Sequence, residues 1–185
     1  MAKNSDLTVL FVGNFRWIQN KDAVRFLYSD VWPHIIKELP NAKLLIVGRD
    51  IPSRLREFLG PTVMVEEDIE DIREAYQKAH LLLAPVRVGG GTSYKILEAM
   101  ASGLPVVTTS LGIEGIEAED GQEVIVRDSP EKLAKVTVDL LKNEEKRKKM
   151  GEKAQKLMEE KYDWVKISAK LGRIWEEVGK KENQE

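Results

Sequence analysis

Three consecutive glycines and two hydroxyl residues stand together at Gly89-Gly90-Gly91-Thr92-Ser93. Glycine has no Cβ, so the backbone N–H groups of such a loop can approach an anion closely. The run lies between an apolar stretch, His80-Leu-Leu-Leu-Ala84, and a segment of helical periodicity over residues 92–102. Free amides at a helix start and the helix dipole both favour negative charge there. The chemistry that fits is binding of a phosphate or diphosphate, with Thr92 and Ser93 adding hydroxyl donors. A flexible turn followed by an ordinary N-cap accounts for the same residues. The run is not a Walker loop, because no Gly-Lys-Ser/Thr ends it. Nor is it the dinucleotide fingerprint, which follows the first strand rather than a late one.

Lys95 and Glu98 are three residues apart and share the helix face that leads back to Gly91. From the first turn, Lys95 can reach a phosphate. A turn further on, Glu98 can accept hydrogen bonds from two ribose hydroxyls. A surface ion pair worth about a few tenths of a kcal/mol is the plainer alternative. A second loop, Ser110-Leu-Gly-Ile-Glu-Gly-Ile116, follows the next apolar run. Its amides could complete a phosphate or sugar pocket, or it could be a plain surface connection.

These residues need elements to hold them. Short apolar runs at 8–12, 43–47, 62–65, 80–84, 105–109 and 123–126 read as strands. Several are apolar throughout, as expected for strands covered on both faces. Helical segments separate them: 21–39, broken or kinked at Pro33; 53–59, with Ser53 as N-cap and Gly60 past its end; 71–79; and 92–102, capped by Thr92 and ended by Gly103. This alternation predicts the α/β class, a doubly wound, Rossmann-like parallel sheet of about six strands. Ligands of such sheets bind at the strands' carboxyl ends. That rule points to residues 13–19, 48–52, 66–69, 86–93 and 110–116. Further helices are expected at 130–142, 144–161 and 164–178, with Gly151 and Gly172 interrupting the last two. The expected organisation is one domain over 1–185, with a core at 7–142, C-terminal helices at 144–179 and a frayed tail at 180–185.

Composition removes other classes. The 185 residues are 42% hydrophobic, enough for a sizeable core, and 31 acidic against 29 basic residues leave a net charge of −2. A nucleic-acid binder usually shows a basic excess, so no such partner is expected. There are no cysteines, which excludes disulfides, thiolate metal sites and cysteine nucleophiles. The two histidines, His34 and His80, are far apart, and a histidine metal cluster is not expected. No signal segment and no spanning apolar run is seen, so a soluble, cytoplasmic chain is expected. The run Lys146-Arg147-Lys148-Lys149 offers contact with an anionic inner membrane face, although Glu144, Glu145 and Glu152 around it favour a solvated helix face.

Residues 89–107, Gly-Gly-Gly-Thr-Ser-Tyr-Lys-Ile-Leu-Glu-Ala-Met-Ala-Ser-Gly-Leu-Pro-Val-Val, resemble the donor-site signature of retaining GT-B glycosyltransferases of group 1, or family four. Phe11-Val-Gly-Asn-Phe-Arg-Trp17 with Asn20, Leu45-Ile-Val-Gly-Arg49, Gly112-Ile-Glu-Gly115 and Asp120-Gly121 are similar to other parts of that domain, in order. The resemblance implies one half of a GT-B fold, the C-terminal half that binds a nucleoside-diphosphate sugar of uridine, guanosine or adenosine. It implies a diphosphate held by Gly89, Gly90, Gly91, Thr92 and Ser93, supported by Lys95, and a ribose held by Glu98. The base falls to Gly48, Arg49, Glu67, Asp68 and Ile69. Transfer would retain the anomeric configuration and need no metal or other cofactor. Two departures are visible. The first of the family's two motif glutamates is replaced by Gly90, as in a branch with the Gly-Gly-Gly-Thr form. The Arg and Lys that clamp the diphosphate fall at Asn14 and Gln19, leaving Arg16 and Lys21 as neighbouring substitutes.

GT-B enzymes place the active site between two halves, and this chain has room for one. The acceptor-binding N-terminal half is therefore an expected partner, in cis or in trans, and the chain alone is expected to be inactive. The resemblance also gives residues 164–178 as the helix that crosses back to the other half. Left unpartnered, its Trp164, Ile167, Leu171, Ile174 and Trp175 would expose apolar surface. Half of a nucleotide-sugar epimerase and a non-catalytic nucleotide-binding module remain as alternatives.

Overall fold

The computed structural model describes residues 7–53, 55 and 60–182, the last six by backbone alone. Its centre is a parallel sheet of six strands: β1 (Thr8–Asn14), β2 (Lys43–Arg49), β3 (Val63–Glu67), β4 (Leu81–Ala84), β5 (Val106–Thr108) and β6 (Ile125–Val126). Their order across the sheet is β3-β2-β1-β4-β5-β6. Chain order therefore reverses between β1 and β4, which leaves a crevice above their carboxyl ends.

The strands sit between two layers of helices. On one face, Val9, Phe11, Leu44, Ile46, Leu81 and Leu83 pack against α1 (Ile18–Phe26), α2 (Trp32–Glu38) and α5 (Pro130–Lys142). On the other, Leu10, Leu45, Val47, Leu82 and Val106 meet α3 (Ile72–Lys78), α4 (Tyr94–Ala101) and α6 (Glu144–Leu157). Alternate side chains of one strand feed both cores. That is why the runs lack polar alternation.

Several local expectations need correction. The helix expected at 21–39 begins at Ile18. It does not break at Pro33 but widens into a π-helical turn, Leu27–Val31, just before it. Proline has no N–H for the carbonyl four residues back, and its ring crowds that turn. The N-cap of α4 is Ser93 rather than Thr92, and its side chain makes no capping bond. At the other end, Gly103 takes φ +68°. Its amide bonds Met100 O at 3.0 Å and that of Leu104 bonds Ala99 O at 2.9 Å, a Schellman closure. Gly151 does not interrupt α6. A Cβ there would lie 2.0 Å from Gly103 O, so glycine allows α6 to touch the turn that ends α4 through its backbone. Helix α6 passes into a second π-helical turn, Met158–Tyr162. The last helix, α7 (Trp164–Glu182), runs through Gly172 and takes in residues 180–182, which were expected to fray. The helix expected at 53–59 and residues 183–185 lie largely or wholly outside the described residues.

Arg147 alters the reading of the basic run. It is buried and donates to Leu140 O at 2.8 Å, and also to Leu141 O, closing the carbonyl end of α5. Lys146, Lys148 and Lys149 remain exposed. Among the described residues no helix is long and apolar enough to cross a membrane.

Candidate functional site

The loop from β4 to α4 is moored at both sides and open in the middle. Near its start, Arg87 grips Asp22 of α1 with Nη2 at 2.8 Å and Nε at 3.2 Å, and lies 3.9 Å above the Phe26 ring. Across the sheet, Thr108 Oγ1 donates to Ala84 O at 2.7 Å and Thr109 Oγ1 donates to Val86 O. Beyond these ties, Gly89 and Gly91 take φ +113° and +82°, a region that disfavours side chains. Among the described residues, no amide of residues 89–93 donates to another protein group. Their donors are free for an anion. The loop at 110–116 braces the far side, for a Cβ on Gly115 would lie 2.6 Å from Thr92 Oγ1.

This loop forms one wall of a cleft of about 470 Å³ over the β1–β4 crevice. Gly89, Gly90, Gly91, Thr92, Ser93, Lys95 and Glu98 all line it. The opposite wall is the loop and first turn after β1, with Asn14, Trp17, Gln19 and Asn20, while Leu111 and Gly112 close a third side. Most of the expected phosphate and ribose residues thus share one concavity at the sheet's switch point.

Lys95 and Glu98 form no ion pair with each other. The Lys95 ammonium reaches across the cleft floor and donates to Asn20 Oδ1, 4.8 Å from the centre of the Phe11 ring. Asn20 in turn donates through Nδ2 to Asn14 O at 2.8 Å. Burial pushes the Lys95 ammonium down to about 8, against the opposing pull of the Glu98 charge. Glu98 accepts at Oε2 from the Tyr76 hydroxyl at 2.8 Å.

Other expected residues stand apart from this cleft. Arg16 turns to Asp50, Nε to Oδ2 2.9 Å, and Lys21 lies in a separate crevice beside Phe15 and Pro52. Gly48, Arg49, Glu67, Asp68 and Ile69 stand at or just past the carboxyl ends of β2 and β3. They are not among the cleft's lining residues. Their loops hold each other: Arg49 Nε is 3.8 Å from Asp68 Oδ1, and the Ile51 amide donates to Glu67 Oε1 at 2.8 Å.

The structure adds Asn20 and Tyr76 as supports of the site. Both carry a sequence signal. Asn20 falls in register with Ala23, Val24 and Leu27, a polar residue on an apolar face. Tyr76 falls in register with Ile72, Ala75 and Ala79, and a buried phenol needs a partner.

The family model "Glycosyl transferases group 1" matches residues 6–143. A phosphatidyl-myo-inositol mannosyltransferase of Mycolicibacterium smegmatis is 26% identical over 178 residues, 92% of this chain and 45% of that protein. Two solved structures share the fold. A point mutant of S. aureus TarM, crystallised with UDP, fondaparinux and α-GlcNAc-glycerol, superposes with TM-score 0.77 at 17% identity, over 91% of this chain and 35% of that one. The C-terminal domain of the Francisella tularensis group 1 protein LpcC superposes with TM-score 0.69 at 17% identity, over 86% and 87%. This chain spans less than half the length of the first curated relatives it matches. Its sheet is one Rossmann-like half of a GT-B fold, and it belongs to the group 1 glycosyl transferases.

Proposed function

We propose that this chain is the donor-binding half of a glycosyltransferase that moves a sugar, with retention, from a nucleoside-diphosphate sugar to an acceptor. The observation that carries the proposal is one cleft at the switch point holding the free amides of residues 89–93, Lys95 and Glu98. In this reading the amides and Lys95 take the diphosphate, stabilising the leaving group as charge develops on it. Glu98 takes the ribose. Gly48, Arg49, Glu67, Asp68 and Ile69 take the base on the neighbouring strand ends, and Arg16 joins the diphosphate by leaving Asp50. No metal is needed. The acceptor half is supplied in cis or in trans and packs on α7. Support comes from Trp164, Ile167, Leu171, Ile174 and Trp175 of that helix, which are 37–75% exposed together with Val165.

Calorimetric titration of the chain with uridine, guanosine and adenosine diphosphates, in the presence of a chelator, tests the proposal. One of the three should bind, and chelation should not weaken it. Failure of all three to bind would overturn the proposal. Two variants locate the groups. Glu98→Gln keeps the shape but loses charge and an acceptor, and hydrogen bonds to charged groups contribute about 1.5–3 kcal/mol. It should lower nucleoside diphosphate affinity about tenfold, at ~1.4 kcal/mol per decade. The 2′,3′-dideoxy ligand should bind the variant and the parent alike. In Gly91→Val, no atom lies within 4 Å of the new Cβ, but φ +82° is strained for a β-branched residue. The reshaped loop should bind the diphosphate more weakly and the free nucleoside almost unchanged. Equal losses for both ligands would count against a phosphate role.

A further inference from the structure

The Tyr76 side chain is 3% exposed within the core layer shared by α3 and α4. Its hydroxyl emerges from that layer 2.8 Å from Glu98 Oε2 and 3.4 Å from Lys95 O. Glu98 itself is exposed on the surface of α4 and lines the cleft. A carboxylate only accepts, so the phenol donates. Among the described residues Glu98 Oε1 takes no bond.

A glutamate on an open helix face ordinarily samples several rotamers. Here one oxygen is anchored to a ring that the core holds still, and the other is left for a ligand. We infer that Tyr76 is a positioning residue, fixing the Glu98 carboxylate so that its second oxygen meets a ribose diol in the cleft. The inference rests on the ribose role proposed for Glu98. Burial, with the Glu98 charge adding to it, raises the Tyr76 pKa far above the ordinary phenol range. The hydroxyl therefore keeps its proton for donation at any physiological pH. The competing account is that Glu98 merely satisfies a buried phenol, with no consequence for binding.

A double-mutant cycle separates the two. The parent chain, Tyr76→Phe, Glu98→Gln and the double variant are titrated with whichever of uridine, guanosine and adenosine diphosphate binds the parent tightest, and with its 2′,3′-dideoxy form. Thermal melts check that each variant is folded, and loss of one hydroxyl leaves the ring packing in place. Tyr76→Phe should weaken the ribo ligand about three- to tenfold, the contribution of one hydrogen bond. It should leave the dideoxy ligand unchanged. The double variant should bind no more weakly than Glu98→Gln alone, since the hydroxyl acts only through that carboxylate. Parent-like affinity in Tyr76→Phe beside a clear loss in Glu98→Gln would overturn the positioning role and leave the ribose role standing. Equal losses for ribo and dideoxy ligands in Tyr76→Phe would show a purely structural hydroxyl. An unaffected Glu98→Gln would remove the ribose role and the inference with it.

Discussion

Lys95→Met should weaken nucleoside diphosphate binding about ten- to a hundredfold at neutral pH, because charge-assisted bonds contribute about 1.5–3 kcal/mol and each decade is ~1.4 kcal/mol. The pH dependence makes the prediction specific to this side chain. Its ammonium titrates near 8 because burial disfavours the charged form. Below that pH the cation is present, and the remaining change comes from the ligand's own terminal phosphate, which gains a proton at about pH 6 and affects parent and variant alike. As pH rises through about 8 the cation is lost, and parent affinity should fall toward that of Lys95→Met. The variant should show no such fall. Stability carries the opposite sign. In the unfolded chain Lys95 keeps its proton up to about 10.5, so between about 8 and 10.5 the unfolded state binds more protons than the folded one. This group alone therefore makes the parent more stable as pH rises across that window. Calorimetric titrations of both proteins over this range decide the matter. Parallel pH curves would remove Lys95 from the diphosphate site.

Gly48→Ala should be the most damaging small substitution in the sheet. Gly48 pairs with Gly13 across the central strands β1 and β2. A Cβ on Gly48 would lie 1.8 Å from Gly13 O and 2.9 Å from Phe15 Cε2, and the carbonyl belongs to a ladder that cannot yield locally. Overpacking of this kind costs about 1–3 kcal/mol, and backbone as the obstacle puts this site near 3 kcal/mol. For a domain of this size that is a fall in melting temperature of about 6–12 °C. The close contact also gives Gly48 a reason to be glycine that is independent of any base. The thermal melt separates the two roles. A variant that melts like the parent would refute the packing account, and one that folds at low temperature can still be titrated for nucleotide affinity.

What could be read in the sequence was what local chemistry dictates. The helix expected at 130–142 is the one observed, Pro130–Lys142; in the structure Ser129 caps it and Pro130 starts it, both local features of the kind a sequence carries. The inner strands β1, β2, β4 and β5 are legible because apolar runs covered on two faces leave a continuous pattern; the edge strand β3, with no buried residue, is legible only as a short β-rich run. The glycine loop and the Lys95/Glu98 face could be read because spacing on one loop and one helix fixes their proximity. Contacts between distant segments were not visible. Asn20 and Lys95 are 75 residues apart, and Tyr76 and Glu98 are 22 apart. No pattern on either segment names the other. Gly151 reads as a helix breaker because its reason, the backbone of Gly103 in the turn that ends α4, lies in a distant segment of the chain. Arg16 looked free for a phosphate because its partner, Asp50, sits at the end of a different strand.

The central claim, that a nucleoside diphosphate lies along the glycine loop at the β1–β4 crevice, is tested most directly by amide NMR. A uniformly labelled sample titrated with the tightest-binding diphosphate should show its largest shifts at the amides of Gly90, Gly91, Thr92 and Ser93. Smaller shifts should appear at residues 14–20, and the amides of α7 should stay in place. Saturable binding with those four amides unmoved, or with the largest shifts on another face, would contradict the account.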